Sequence, residues 1–164
     1  MAYRKEDYVC LSAMLRAREP GMLSREKALR LIDTEDFDSA AKMLAGLGFA
    51  DMSEMSAGEI DTYLSDRTGS ILKEIENLCP DKNVVNIFRI KYDYHNAKTL
   101  TKAVGKQENA DHVYSSCGRF GVEELKLALS EGHCDLPEVL YKAINEANST
   151  LARTGNPQLS DFEL

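Results

Sequence analysis

The chain has 164 residues, a net charge of −7 and a pI near 5.0, with 43% hydrophobic and 29% charged residues. That length suits one sizeable core in an ordinary globular protein. The acidity argues against nucleic acid or an anionic membrane surface as the main partner, because both demand clustered Lys and Arg. No apolar run approaches the roughly 20 residues that cross a bilayer, and the opening MAYRKEDY carries no apolar core of a signal peptide.

In chain order, the pattern predicts helices throughout. Tyr3 to Arg18 places Tyr8, Leu11, Met14 and Leu15 on one face, and Pro20-Gly21 stops it. Ser24 reads as the N-cap of a second helix with Ala28, Leu31 and Ile32 facing in. Asp36 reads as the cap of a third, striped by Phe37, Ala40, Ala41, Leu44 and Leu47 and closed at Gly48. Ser56 and Glu59 fit the capping box S-x-x-E. The helix they start runs to Cys79 along Ile60, Tyr63, Leu64, Arg67, Ile71, Ile75 and Leu78, with Gly69 inside it.

The run Val84 to Lys98, VVNIFRIKYDYHNAK, supports two readings. Phe88, Ile90, Tyr92 and Tyr94 alternate with polar residues as in a strand. At about 100° per residue the same run makes a helix with two apolar stripes, Val84-Phe88-Tyr92-His95 and Ile87-Ile90-Tyr94-Ala97. Between them lies a polar line, Asn86, Arg89, Asp93 and Asn96. Pro80 before it, Asp81 as cap and the helical surroundings favour the helix, continuing to Ala103 and set between two layers. Gly105 to Gly121 then reads as a loop, long enough to be either functional or mobile. Val122 to Ser130 is a short helix ended by Gly132. Pro137 opens a longer one with Leu140, Ile144, Ala147 and Leu151 inward, ended by Gly155 and Pro157.

The pairs of helices around Leu31-Ala41 and Ala128-Leu140 share their apolar spacing, which suggests an internal duplication. The four cysteines, Cys10, Cys79, Cys117 and Cys134, form no C-x-x-C pair and read as reduced thiols, mostly packed as small apolar groups. A zinc site from Cys117, His133 and Cys134 lacks supporting spacing. His95 with Asp93 and Tyr92 is the one group resembling a catalytic site, but residues two apart on a helix point in different directions. No nucleophile elbow, phosphate loop, H-E-x-x-H or EF-hand pattern is present, so the residues give no support to an enzyme.

Lys91-Tyr92-Asp93-Tyr94-His95-Asn96-Ala97-Lys98 resembles the KYDYHN-x-K signature of the C subunits of archaeal and bacterial V-type (A-type) ATPases, a family that includes the d subunit of the eukaryotic vacuolar ATPase. Leu15 to Glu19 followed by Met22 to Glu26, the ending of Leu44 to Phe49, and Phe120-Gly121 before a Glu-Glu-Leu helix also resemble that family. The resemblance implies an all-α, funnel-shaped protein of pseudo-repeated lobes, with helical hairpins around a long central helix. It implies no catalysis and no cofactor or metal. Its partners would be the D and F subunits of the central shaft and the proteolipid rotor ring, on the cytoplasmic side, in proton or sodium ion transport. Lobes are then expected at 1–104 and from 122 to 164, joined by 105–121, with the chain an N-terminal part of a longer protein. Candidate interface residues are Arg16, Arg18, Arg89, Asp93 and Asn96. The competing readings are a general helical adaptor and, behind it, a small helical enzyme using His95.

Overall fold

The computed structural model of the chain describes residues 3–131 and 135–164. It is all-helical, with no strand among the described residues. The helix reading of Val84 to Lys98 therefore holds. The chain divides into two compact units, Met1–Asp81 and Lys82–Leu164.

In the first unit a 3-10 turn, Lys5–Tyr8, leads into α1 (Val9–Arg18). Pro20 sits in a second 3-10 turn, Glu19–Gly21, that ends the helix. Then come α2 (Arg25–Ile32), α3 (Phe37–Ala45) and α4 (Ala57–Leu78). Their starts are written in side chains. Ser24 Oγ accepts from the Lys27 N–H at 3.3 Å, and Asp36 Oδ1 from the Ser39 N–H at 2.7 Å. At α4 both arms of the capping box close: Ser56 Oγ accepts from the Glu59 N–H, and Glu59 Oε2 accepts from the Ser56 N–H at 2.8 Å. Gly48 takes a left-handed φ of 86°, as its expected place after α3 requires. Arg67 holds that turn to α4, donating to the Gly48 carbonyl at 2.8 Å and lying over the Phe49 ring at 4.4 Å.

Helix α1 packs on α4, and α2 on α3. Leu11, Ala41, Met52 and Cys79 are buried. Several residues expected to face inward do not: Ile32 is 77% exposed, and Phe37, Leu15, Leu64, Ile71 and Leu78 are exposed as well. Periodicity says which side of a helix is apolar; it does not supply the surface that covers it.

The second unit is built on α5 (Lys82–Lys106), with α6 (Val122–Glu131), α7 (Glu138–Thr154) and a short α8 (Pro157–Asp161). Gly155 ends α7 at φ 65°, and Asn156 caps α8 through Oδ1 on the Gln158 N–H at 2.9 Å. Pro157 thus starts a helix, where the sequence suggested only an ending. Gly105 likewise belongs to α5, and a Cβ there would stand 2.5 Å from Leu151 Cδ2 of α7. The core is Ala97 and Leu100 of α5 with Leu125, Leu140 and Ile144, edged by Tyr94, Tyr114, Phe120, Leu129, Leu136 and Leu164.

Cover on α5 comes from α6, α7 and α8, and of the two apolar stripes expected to be covered, Val84-Phe88-Tyr92-His95 stays largely open, with Val84, Phe88 and His95 exposed. Toward its start Val85 is buried, but Val84, Ile87 and Phe88 are exposed, Phe88 by 62%. The helix runs about 37 Å at 1.5 Å per residue, and the core residues that pack on it gather at Ala97 and Leu100. Gly132, His133 and Cys134 lie outside the described residues, so the expected end of α6 and the His133/Cys134 part of a zinc site do too.

Candidate functional site

Asp93 and Asn96 face the same side of α5 because they stand three residues apart. Both are fully buried, and Arg89, one turn earlier, is half-buried. A buried carboxylate and amide must find partners or destabilise the fold. Theirs come from the connection between α5 and α6, where a 3-10 turn, Asp111–Val113, leads into an irregular strap of turns and bends, residues 113–120 counting the last residue of that turn.

The bonds follow the helix register. Arg89 donates from Nε to the Cys117 carbonyl at 3.1 Å and from an Nη to the Gly118 carbonyl at 2.9 Å. Asp93 Oδ1 accepts from the Arg119 N–H at 2.6 Å and the Phe120 N–H at 3.4 Å, while Oδ2 accepts from Arg119 Nε at 2.6 Å. Asn96 is paired both ways with one residue: its amide nitrogen donates to the Ser115 carbonyl at 2.9 Å, and its oxygen accepts from the Ser115 N–H at 2.8 Å. His95 Nε2 lies 3.0 Å from the Val113 carbonyl. That oxygen only accepts, which assigns the proton to Nε2.

Gly118 is where the strap comes closest. A Cβ there would stand 2.9 Å from Asp93 Oδ1 and 3.5 Å from the Asn96 amide nitrogen, so only glycine fits without displacement. The Arg119 guanidinium also lies over the Phe120 ring, 5.0 Å from its centre. Tyr114, packed at the core edge, has its phenol pKa raised by burial. Lys126, near Asp111 and bonded to Glu123 at 2.8 Å, has its pKa raised by that bond.

The arrangement ties a loop to a helix. Asp93 and His95 do not meet: one engages its oxygens with Arg119 and Phe120, the other its Nε2 with a backbone carbonyl. Among the described residues no three His, Cys, Asp or Glu side chains gather as a metal site would need. The remaining candidates lie in the first unit. Arg16 bonds Glu19 at 2.9 Å in the open, and Arg18 bonds both oxygens of Glu74 at 2.6 Å, fastening the end of α1 to α4. Sequence reasoning missed Ser115, Gly118 and Arg119. The available signal was a polar line on an otherwise apolar helix, followed by a loop with a glycine and few apolar residues.

The family model described as ATP synthase (C/AC39) subunit matches residues 11–164. The chain belongs to that family. The likeness carried by Lys91 to Lys98 thus extends across nearly the whole chain. Among curated proteins, the C subunit of the V-type sodium ATPase of Enterococcus hirae is 26% identical over 144 residues, covering 87% of this chain and 44% of that protein. The chain therefore spans under half the length of this relative. No solved structure matches it significantly. Among the described residues, no helix is long and apolar enough to cross a membrane.

Proposed function

We propose that the chain serves as part of the C subunit of a rotary V-type or A-type ATPase, a non-catalytic element of the central stalk. In this reading it helps form the socket that couples the D and F subunits of the shaft to the proteolipid rotor ring during proton or sodium ion transport. It works on the cytoplasmic side, peripheral to the membrane. The observation that carries the reading is the family match over residues 11–164. The name of the relative, a C subunit of a V-type sodium ATPase, supports it. The physical character of the molecule is in keeping with a mechanical part: helical bodies, polar groups consumed in internal bonds, and exposed apolar positions such as Val84, Ile87 and Phe88 available to neighbours.

The five candidate interface residues then divide. Arg16 and Arg18 sit at an accessible helix end and would meet a partner directly. Arg89, Asp93 and Asn96 would act through the strap they hold, because Asp93 and Asn96 have no exposed surface in the closed arrangement. The similar spacing in α2–α3 and α6–α7 fits a pseudo-repeat of lobes within 1–104 and from 122 onward. The matched positions Ala41 and Leu140 are both buried, at 1% and 2%.

The test is binding of the chain to the purified D and F shaft proteins, and separately to detergent-solubilised proteolipid ring. Saturable binding to either, weakened by charge reversal at Arg16 and Arg18 with helicity unchanged, is the expected result. Failure of both this chain and the complete protein to bind would overturn the stalk role and leave a helical adaptor.

A further inference from the structure

The strap and the helices beneath it are held by different forces. The helices rest on buried Leu125, Leu140, Ile144, Ala97 and Leu100. The strap rests on hydrogen bonds to side chains of α5: Val113 to His95, Ser115 to Asn96, Cys117 and Gly118 to Arg89, Arg119 and Phe120 to Asp93. Its apolar contribution is confined to Cys117 and to Tyr114 and Phe120 at the edge of the core. Val113 and Ser116 are exposed, Tyr114 and Phe120 only partly buried, and Cys117 alone among residues 113–120 is fully buried, at 1%. Polar bonds can be exchanged for water on opening, whereas burial of the leucine core cannot be replaced without unfolding. Segments with few buried apolar contacts open at the lowest free energy.

Both flanking helices close independently of the segment. Gln107, just past α5, holds a left-handed φ of 56° as the helix's C-cap turn, with its N–H on the Val104 carbonyl at 3.3 Å and the Glu108 N–H on the Ala103 carbonyl at 3.1 Å. At the far end the Gly121 N–H is fixed to Glu124 of α6 at 2.7 Å, so the segment up to Phe120 can lift while α6 stays capped.

We propose that the strap over residues 113–120 is a two-state latch that opens and recloses on α5 as one unit while the helices remain folded. Closed, it seals the polar line of Asp93 and Asn96 from solvent. Open, it presents that line together with the Cys117 thiol. The latch rests on the geometry of residues 82–164 alone and not on the ATPase reading, and its test involves no ATPase partner, so the two can fail separately.

The test is alkylation of the full chain by iodoacetamide across low urea concentrations, read cysteine by cysteine through peptide mass spectrometry. Exposed Cys10 serves as the fast reference and Cys79, buried in the first unit, as the slow one. Cys117 should react at a rate that barely changes with urea below the unfolding transition, the sign of a small opening. Asn96→Ala and Gly118→Ala should each raise that rate by about tenfold or more, with helicity and the Cys79 rate unchanged. If Cys117 reacts only in step with loss of helix in the unaltered protein, the latch is overturned. That arm needs no variant and so does not depend on the substitutions folding. Equal Cys117 rates in a folded Asn96→Ala variant would overturn it as well.

Discussion

In the first two turns of α5, Val84, Ile87 and Phe88 are apolar and exposed; from Asp93 onward, Asp93 and Asn96 are polar and sealed from solvent. A reading by hydropathy alone would reverse the two. The difference lies in what each stretch is given to pack against. The later stretch meets α6 and α7 and a strap whose backbone bonds match its side chains residue for residue. Burial there is stable because every polar atom is paired: no buried side-chain nitrogen or oxygen among the described residues lacks a hydrogen bond. Exposed apolar side chains in the first stretch cost the isolated fold little, and in an assembling protein they mark surface available to others.

Substitutions in the two stretches should therefore behave oppositely. Asp93→Ala has the largest expected effect. It leaves Arg119, 22% exposed, without its carboxylate and leaves strap N–H groups unpaired. Losing one partner of a buried pair costs about 3–5 kcal/mol, read as a lower urea midpoint. Gly118→Ala follows, since its Cβ would press on Asp93 Oδ1. Forced displacement in a packed site costs about 1–3 kcal/mol, and amide exchange at Ser115 and Arg119 should accelerate with it. Phe88→Ala, though it removes a whole aromatic ring, should change stability by less than about 0.5 kcal/mol, as should Arg16→Ala at its exposed pair. A Phe88→Ala loss as large as that of Asp93→Ala would erase the contrast.

Acid sharpens the comparison from the first unit. Hydrogen bonds from Ser39 lower the pKa of Asp36, those from Ser53 lower that of Asp51, and those from Ser56 lower that of Glu59. Each group holds its proton more weakly in the folded chain, so each contributes stability that is complete above the ordinary carboxylate range and is lost as pH falls through the lowered value. Thermal midpoints by circular dichroism should decline as pH drops below about 4. Asp36→Asn, which keeps a capping oxygen without the charge, should flatten part of that decline.

Much of this fold is legible in the sequence because its signals are local. Ser24, Asp36 and the Ser56/Glu59 box cap helices by bonds reaching three residues, and Gly48 and Gly155 mark turns that need positive φ. What could not be read is non-local. Nothing near Asn96 announces that Ser115 will pair with it, and nothing near Asp93 names Arg119 as its partner. Ile32 fails for the same reason: its stripe is right, but no element arrives to cover it. Arg89, Asp93 and Asn96 stood out as a polar line on an apolar helix. Their work within the chain is holding the strap.

The most direct measurement is a double-mutant cycle between Asp93 and Arg119, using Asp93→Asn, Arg119→Ala and the combination, with unfolding free energies from urea titration. If the polar line clamps the strap, the two substitutions will be coupled by more than about 1 kcal/mol, the double variant losing well under the sum of the singles. Additive losses would mean that Asp93 and Arg119 act independently, and the clamp account would be wrong.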